Sequence, residues 1–231
     1  MPEVPNLVKT EAAIIEQTNS FRRSQQLGTV KPNAQLTHAA RRYAEYLAKS
    51  GKFAHDADGR QPAERVKAAG YDYCMVAENL AMHRDSRGFM TQQLATKAVE
   101  GWKGSPGHRK NLVAPHATEI GVGVARAPAA SPKFLSVQLF GRPASEKYRF
   151  RIDNKTDASA SYTALGKAHT IEPGARVTHS ACMPAELSFE RSGNALFGVT
   201  LKGRYQPRDG AVYTVTKTAD GKVDVSVGKA Q

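Results

Sequence analysis

The stretch EGWKGSPGHRKNL, residues 100–112, constrains the chain more than any other, because it holds a helix end, a forced redirection and a histidine within a few residues. Upstream, Leu94, Ala95, Ala98, Val99 and Trp102 recur at helical spacing, which predicts a helix with one buried stripe that includes the only tryptophan. Pro106 disfavours helical backbone in the residue before it, and Gly107 permits a sharp turn. The expectation is that the helix stops here and that His108 is aimed by the turn rather than carried on a helix face. The same residues equally describe a packed helix terminus with a surface histidine.

A chain of 231 residues can bury a sizeable core and falls between one large domain and two small ones. No run approaches the roughly 18 consecutive apolar residues of a membrane span, so no transmembrane segment is expected. The start, MPEVPNLVKTEAAII, lacks the basic, apolar and small-residue order of a signal peptide; an export signal has been removed or was never there. The formal charge of +12 would suit a nucleic-acid binder, yet the basic residues are spread over both halves, without a basic tail or an aromatic-interleaved basic motif. Nucleic acid is therefore not an expected partner. The charge suits an anionic surface such as wall polymer or lipid headgroups, and equally a general solubility effect. Cys74 and Cys182 are the only cysteines, which excludes a disulfide-rich scaffold and a four-cysteine zinc site. Paired, they would close a loop of roughly 100 residues and stabilise by about 4 to 5 kcal/mol on the chain-entropy model; two separate buried thiols are the alternative.

Along the chain, Thr10 is placed to cap a helix running to about Gln26, with Ile14, Ile15, Thr18 and Phe21 on one stripe and Gly28 as its stop. A turn at Lys31, Pro32 and Asn33 leads into a second helix, roughly Gln35 to Ser50, burying Leu36, Ala39, Ala40, Tyr43 and Leu47 and ended by Gly51. In GKFAHDADGRQPAERVKAAGY a loop carries His55, with Phe53 as its packing anchor, and a short helix runs from Pro62 to a stop at Gly70. CMVAENLAMH reads as a strand on which Val76, Glu78 and Leu80 share a face. A carboxylate on such a face needs a partner, and a histidine would serve. TEIGVGVARA and KFLSVQLFG form an antiparallel pair around the loop at residues 128–132. From Tyr148 onward YRFRIDN, SASYTAL, AELSFE, ALFGVTL, AVYTVTK and KVDVSVG alternate with turns at Pro173-Gly174, Ser192-Gly193, Asp209-Gly210 and Asp220-Gly221, the texture of a small all-β sandwich-like domain. The domains expected are residues 1–143 and 147–231.

PNAQLTHAA, KFAHDADGRQPAERVKAAGY, AENLA, EGWKGSPGHRKNL and TEIGVGVA occur in the order found in the CAP superfamily, the cysteine-rich secretory, antigen 5 and pathogenesis-related proteins. Residues 8–143 resemble its bacterial, SCP-like form. The resemblance implies an α+β fold, a three-layer α-β-α sandwich, here followed by the all-β domain. It also implies a secreted or periplasmic protein with a shallow cavity lined by two histidines and two acidic residues. Carried over by position, these are His55, His108 and Glu78. The second acid of many eukaryotic relatives lies three residues after the tryptophan, where this chain has Ser105; Glu100 points almost opposite to the buried stripe and is expected at the surface.

Two histidines and a carboxylate from separate loops suit zinc or another divalent cation with an open position, with His55 and His108 as ligands and Glu78 as a third ligand or a general base. A His/Glu cluster that merely holds loops together is the plain alternative. Ser105, Arg109 and Asn111, with Arg65 on the short helix, are candidates for contact with an anionic ligand or for bracing. His38, His83, His116, His169 and His179 have no supporting constellation and are read as surface or structural. No serine or cysteine sits in a nucleophile motif. The leading expectation is an exported binding protein for a lipid, a cell-wall component or an extracellular protein through the cavity of His55, Glu78 and His108. The alternative is a metal-dependent hydrolase, a peptidase or wall-fragment hydrolase, at the same cavity, and a sterol or fatty-acid carrier is a third reading. Whether the chain is an enzyme stays open at this point.

Overall fold

Backbone contacts divide the chain into two units, Met1–Ser145 and Glu146–Gln231. The computed structural model describes residues 3–189, 203–219 and 223–229. In the first unit α1 (Leu7–Ser24) is capped by Asn6, whose side chain accepts from the Lys9 N–H at 2.9 Å. Thr10 is not the cap: it lies one turn inside, buried, with its hydroxyl donating to the Asn6 carbonyl. The first turn hides this start, because Val8 is exposed and does not continue the buried stripe. The helix ends at Ser24, before Gln26 takes a left-handed φ of 59° in place of the expected stop at Gly28.

Lys31 and Pro32, expected as a turn, form the short strand β1 (Lys31–Pro32). Asn33 then caps α2 (Ala34–Ser50), accepting from the N–H groups of Gln35 and Leu36, and Gly51 ends it at a φ of 72°. After a loop comes α3 (Pro62–Ala68), where Glu64 reaches back to accept from the Gln61 N–H at 2.7 Å. The remaining elements are β2 (Tyr73–Arg84), α4 (Thr91–Gly104), α5 (Pro106–Leu112), β3 (Glu119–Ala127) and β4 (Lys133–Pro143). The sheet has the order β1-β3-β4-β2, parallel between β1 and β3 and antiparallel elsewhere.

Two apolar clusters lie on the two faces of this sheet. Leu36, Ala40, Tyr43 and Leu47 of α2 and Val66 of α3 pack with Leu80, Val137 and Leu139. Ile14 of α1, Leu94, Val99 and Trp102 of α4 and Leu112 of α5 pack with Ile120, Val122 and Phe140. The three layers are thus helices, sheet and helices. The approach of α2 to β3 is set by two glycines: a Cβ on Gly121 would stand 2.2 Å from the Leu36 carbonyl carbon, and one on Gly123 2.2 Å from the Arg41 nitrogen. A further expectation fails at the centre of this unit. Pro106 and Gly107 do not simply end a helix; Ser105, at φ −104° and ψ 117°, breaks it, and Pro106 opens α5 at a position where its missing N–H costs nothing. His108 therefore rides on the first turn of a short helix.

The second unit contains β5 (Tyr148–Asn154), β6 (Ala160–Ala164), β7 (Lys167–Ile171), β8 (Arg176–Ala181), β9 (Leu187–Phe189), β10 (Gly203–Tyr205), β11 (Ala211–Lys217) and β12 (Val223–Lys229). They form two four-stranded sheets, β10-β9-β6-β7 and β12-β11-β5-β8. Phe150, Ile152, Tyr213 and Val215 of one sheet share a buried cluster with Tyr162, Ala164, Ile171, Leu187 and Phe189 of the other. The strand expected at ALFGVTL and the turns at Ser192-Gly193 and Asp220-Gly221 lie outside the described residues. His169 and His179 are not isolated here: their rings are 4.9 Å apart, and His179 bonds the Tyr162 hydroxyl at 2.8 Å. Both cysteines are disulfide-bonded. Among the described residues no helix is long and apolar enough to cross a membrane.

The glycine contacts generate a paired test. Gly123→Ala is expected to lower the unfolding free energy by about 1 to 3 kcal/mol through overpacking. Gly101→Ala in α4, where a Cβ meets nothing within 4 Å, is expected to raise it by about 0.4 to 1 kcal/mol. Urea denaturation of both variants measures the contrast.

Candidate functional site

The strand β2 turns Glu78 toward the face covered by α2 and α3, as the alternation with Val76 and Leu80 requires. Its side chain is 1% exposed. Burial of a carboxylate is tolerable only with strong donors, and two residues supply them. Arg65 Nη2 donates to Glu78 Oε2 at 2.8 Å and to Oε1 at 3.1 Å, and His55 Nδ1 lies 2.8 Å from Oε1. A histidine was the partner expected from the sequence; the guanidinium was not.

Arg65 is itself fully engaged at both terminal nitrogens. Nη1 donates to Asp58 Oδ1 at 2.9 Å and to the Arg60 carbonyl at 2.6 Å, and Nη2 also reaches the His55 carbonyl at 2.8 Å. Its Cζ lies 3.5 Å from the centroid of the Tyr43 ring, a cation–π contact in a buried setting. The loop that presents His55 is pinned from below by α2. Tyr43 Oη donates to the Ala54 carbonyl and accepts from the Ala57 N–H, and Tyr46 Oη donates to the Ala57 carbonyl at 2.8 Å. Phe53, expected as the loop's anchor, is 46% exposed and does not serve as one. The two tyrosine hydroxyls do its work, because an irregular loop is held best through its backbone polar groups.

His108 reaches the same neighbourhood from the opposite layer. β2 is an edge strand, so its outward carbonyls need partners other than a strand. Asn111 Nδ2 donates to the Glu78 carbonyl at 3.0 Å, and Trp102 Nε1 to the Leu80 carbonyl at 2.9 Å. Asn111 also donates to Asn79 Oδ1, while Asn79 Nδ2 donates to the His108 carbonyl and to Gln138 Oε1. Buried Arg22 adds a second clamp, donating to the carbonyls of Gly28, Leu112, Ala114 and Ala117. α5, and with it His108, is thereby fixed against the strand that carries Glu78.

The remaining candidates separate. Asn111 braces the strand through its backbone. Arg109 lies over the Phe21 ring and donates to Gln25 at the end of α1, so it does not join Glu78 and His55. Ser105 marks the break between α4 and α5, its carbonyl accepting from the Arg109 N–H. Glu100 is exposed and pairs with Lys103, as its helical angle requires. Asp58, Arg60, Arg65 and Tyr43 are the members of the site that sequence reasoning left out or underweighted. The signal for Arg65 was its place beside buried Val66 on α3.

His55, Glu78 and His108 do not assemble into a metal-holding group. Among the described residues no cluster of three or more His, Cys, Asp and Glu side chains is arranged to bind an ion. The physical reason is the commitment of both Glu78 oxygens to Arg65 and His55, which leaves two imidazoles where a zinc centre needs three or four protein ligands. The donor set does not fit a protein-built zinc site.

The two imidazoles are pushed apart in acidity. The hydrogen bond to Glu78 raises His55 above the ordinary value of 6.5, against opposing desolvation. Desolvation, reinforced by the charge of His55, lowers His108. The two rings make folding stability depend on pH in opposite directions. The His55 contribution is complete below pH 6.5 and is lost as pH rises through its raised value. The His108 contribution runs the other way, being lost as pH falls from 6.5 through its lowered value. Histidine NMR titration is expected to show His55 titrating above His108, and Glu78→Gln is expected to bring the His55 midpoint down.

The family model described as the cysteine-rich secretory protein family, CAP, matches residues 15–140. The uncharacterized protein YkwD of Bacillus subtilis (strain 168) is 31% identical over 114 residues, 49% of this chain and 41% of that protein. The matched region thus spans about two fifths of that relative's length. An outer surface protein of Borrelia burgdorferi, at 20% identity and a TM-score of 0.52, covers 62% of this chain and 99% of its own; the likeness is one of fold. An extracellular protein of Bacillus anthracis containing an SCP domain is 23% identical with a TM-score of 0.49 over 59% of this chain and 41% of that one. With more than half of its residues matched by the family model, the chain belongs to the CAP family of cysteine-rich secretory proteins.

Proposed function

We propose that this chain is an exported CAP-domain binding protein that engages a lipid, a cell-wall component or an extracellular protein through the surface of His55 and His108. The observation that carries this reading is the state of Glu78. Both of its oxygens are hydrogen-bonded within the protein and its side chain is 1% exposed, so it positions His55 rather than facing a substrate. A general base must come within hydrogen-bond reach of the proton it takes, and Glu78 is walled off by Arg65 and His55. The His55 side chain, in contrast, is half exposed and offers its outer nitrogen to a ligand.

Export is supported by the disulfide-bonded state of both cysteines, since such bonds persist in oxidising compartments. Residues 147–231 are read as an accessory domain that adds a second binding surface; the apolar cluster shared by its two sheets supports the sandwich-like part of that reading.

The test is a pair of assays on the intact chain. Co-sedimentation with purified cell-wall material or lipid vesicles, or capture of an extracellular partner, is expected to weaken about tenfold in His55→Ala plus His108→Ala, on the scale of a binding hot spot. Incubation with peptides and wall fragments, with and without added zinc, is expected to give no turnover. Turnover that disappears in a folded Glu78→Gln variant would overturn the binding reading in favour of a hydrolase.

A further inference from the structure

Between α2 and α3, with Arg65 in its wall, lies a cavity of about 160 Å³ whose lining includes none of His55, Glu78 and His108. Its lining is unusual in charge. Arg42 and Arg60 contribute two guanidinium groups, Arg65 a third, and His38 an imidazole, against one carboxylate, Asp58. That carboxylate is already committed, accepting at Oδ1 from Arg65 Nη1 and from the Arg60 N–H at 3.2 Å. Among the described residues neither the Arg42 nor the Arg60 guanidinium has an ion-pair or hydrogen-bond partner, whereas Arg41, next to Arg42 on α2, forms a 2.6 Å pair with Glu11.

The walls are rigid. Tyr43 lies under Arg65 and stacks with Tyr46 at 6.2 Å, their planes 5° apart. The hydroxyls of both tyrosines are bound to the loop. The concavity is formed before a ligand arrives, so the cost of ordering falls on the two exposed arginine side chains alone. Its volume is below the roughly 300 to 1,000 Å³ of a site for a drug-sized molecule. It therefore accepts a compact headgroup and leaves any chain attached to that group outside.

We propose that this cavity is a second ligand site, separate from the His55 and His108 surface, and that it takes a phosphate group. Two arginines with free forks, lining a cavity whose own acid is neutralised, match an anion carrying up to two charges and several acceptor oxygens. A cation is repelled by the same groups. Arg65 belongs to the wall and not to the ligand contacts, because its terminal nitrogens are used within the protein; Arg42 and Arg60 are the contacts. The proposal does not rest on the function assigned to the histidine surface.

The experiment uses inorganic phosphate with the intact chain at low ionic strength, followed by calorimetry. Saturable binding at one site is expected, weakened at least tenfold in Arg42→Gln plus Arg60→Gln. The charge-matched pair Lys9→Gln plus Arg23→Gln, which removes two exposed cations on α1, is expected to leave it within about twofold. A second arm adds phosphatidylcholine vesicles with and without phosphatidylglycerol. Sedimentation with the anionic vesicles that is lost in the Arg42/Arg60 variant assigns the site to a lipid headgroup. Phosphate binding without vesicle binding assigns it to a soluble or polymer-borne phosphate ester. Either result supports the phosphate site. Absence of saturable phosphate binding, or equal weakening by the control pair, overturns it.

Discussion

The ion pair between Arg65 and Glu78 is the interaction on which the site depends. Both side chains are almost wholly removed from water, 7% and 1% exposed. Burying such charges costs several kcal/mol per ion, and their mutual attraction offsets this only when the remaining donors and acceptors are also satisfied. That condition is met at both Glu78 oxygens and at both terminal nitrogens of Arg65: Glu78 accepts from Arg65 and pairs with His55, while Arg65 also serves Asp58 and the carbonyls of Arg60 and His55, and only its buried Nε is left without a partner among the described residues. One charged pair thus joins the sheet, the short helix α3 and the loop that presents His55. It leaves an imidazole at the surface with a fixed orientation and a fixed source of negative charge behind it.

The opposite wall depends on an edge problem. Among the described residues no strand pairs with β2 on its outer side, and side chains from EGWKGSPGHRKNL satisfy the carbonyls of Glu78 and Leu80 in place of a strand. Trp102 and Asn111 are therefore as much a part of the site as the histidines, since they set the position of α5 relative to Glu78. Arg22 secures the same helix from its C-terminal end through the carbonyls of Leu112, Ala114 and Ala117, although burial works against its charge. The break at Ser105 lets one short segment supply both the tryptophan clamp and His108.

Much of this framework was legible in the sequence because it is periodic. The stripe of Leu36, Ala39, Ala40, Tyr43 and Leu47, the alternation of Val76, Glu78 and Leu80, and the pairing of β3 with β4 are all written as spacing. So was the need of Glu78 for a partner, since a carboxylate on an apolar strand face must find one. What stayed hidden depends on tertiary contact or on punctuation with two meanings. Pro106 stops a helix or starts one, and only the extended backbone of Ser105 decides between them. Arg65 looks like any basic residue near a helix end until the fold brings it over Tyr43. Phe53 was overrated because an aromatic in a loop suggests an anchor, whereas this loop is held through backbone carbonyls. β7, β8 and β10 are short and carry few β-branched or aromatic residues in alternation, so they left little pattern to read.

The commitment of Glu78 to Arg65 is tested most directly by a double-mutant cycle on stability. In urea denaturation, Arg65→Met and Glu78→Leu are each expected to cost about 3 to 5 kcal/mol, because each leaves its partner buried and uncompensated. The double variant is expected to cost clearly less than the sum, with a coupling of about 1 to 3 kcal/mol. Additive losses, with no coupling between the two positions, would contradict the role assigned here to Glu78 and with it the binding function built on its engagement.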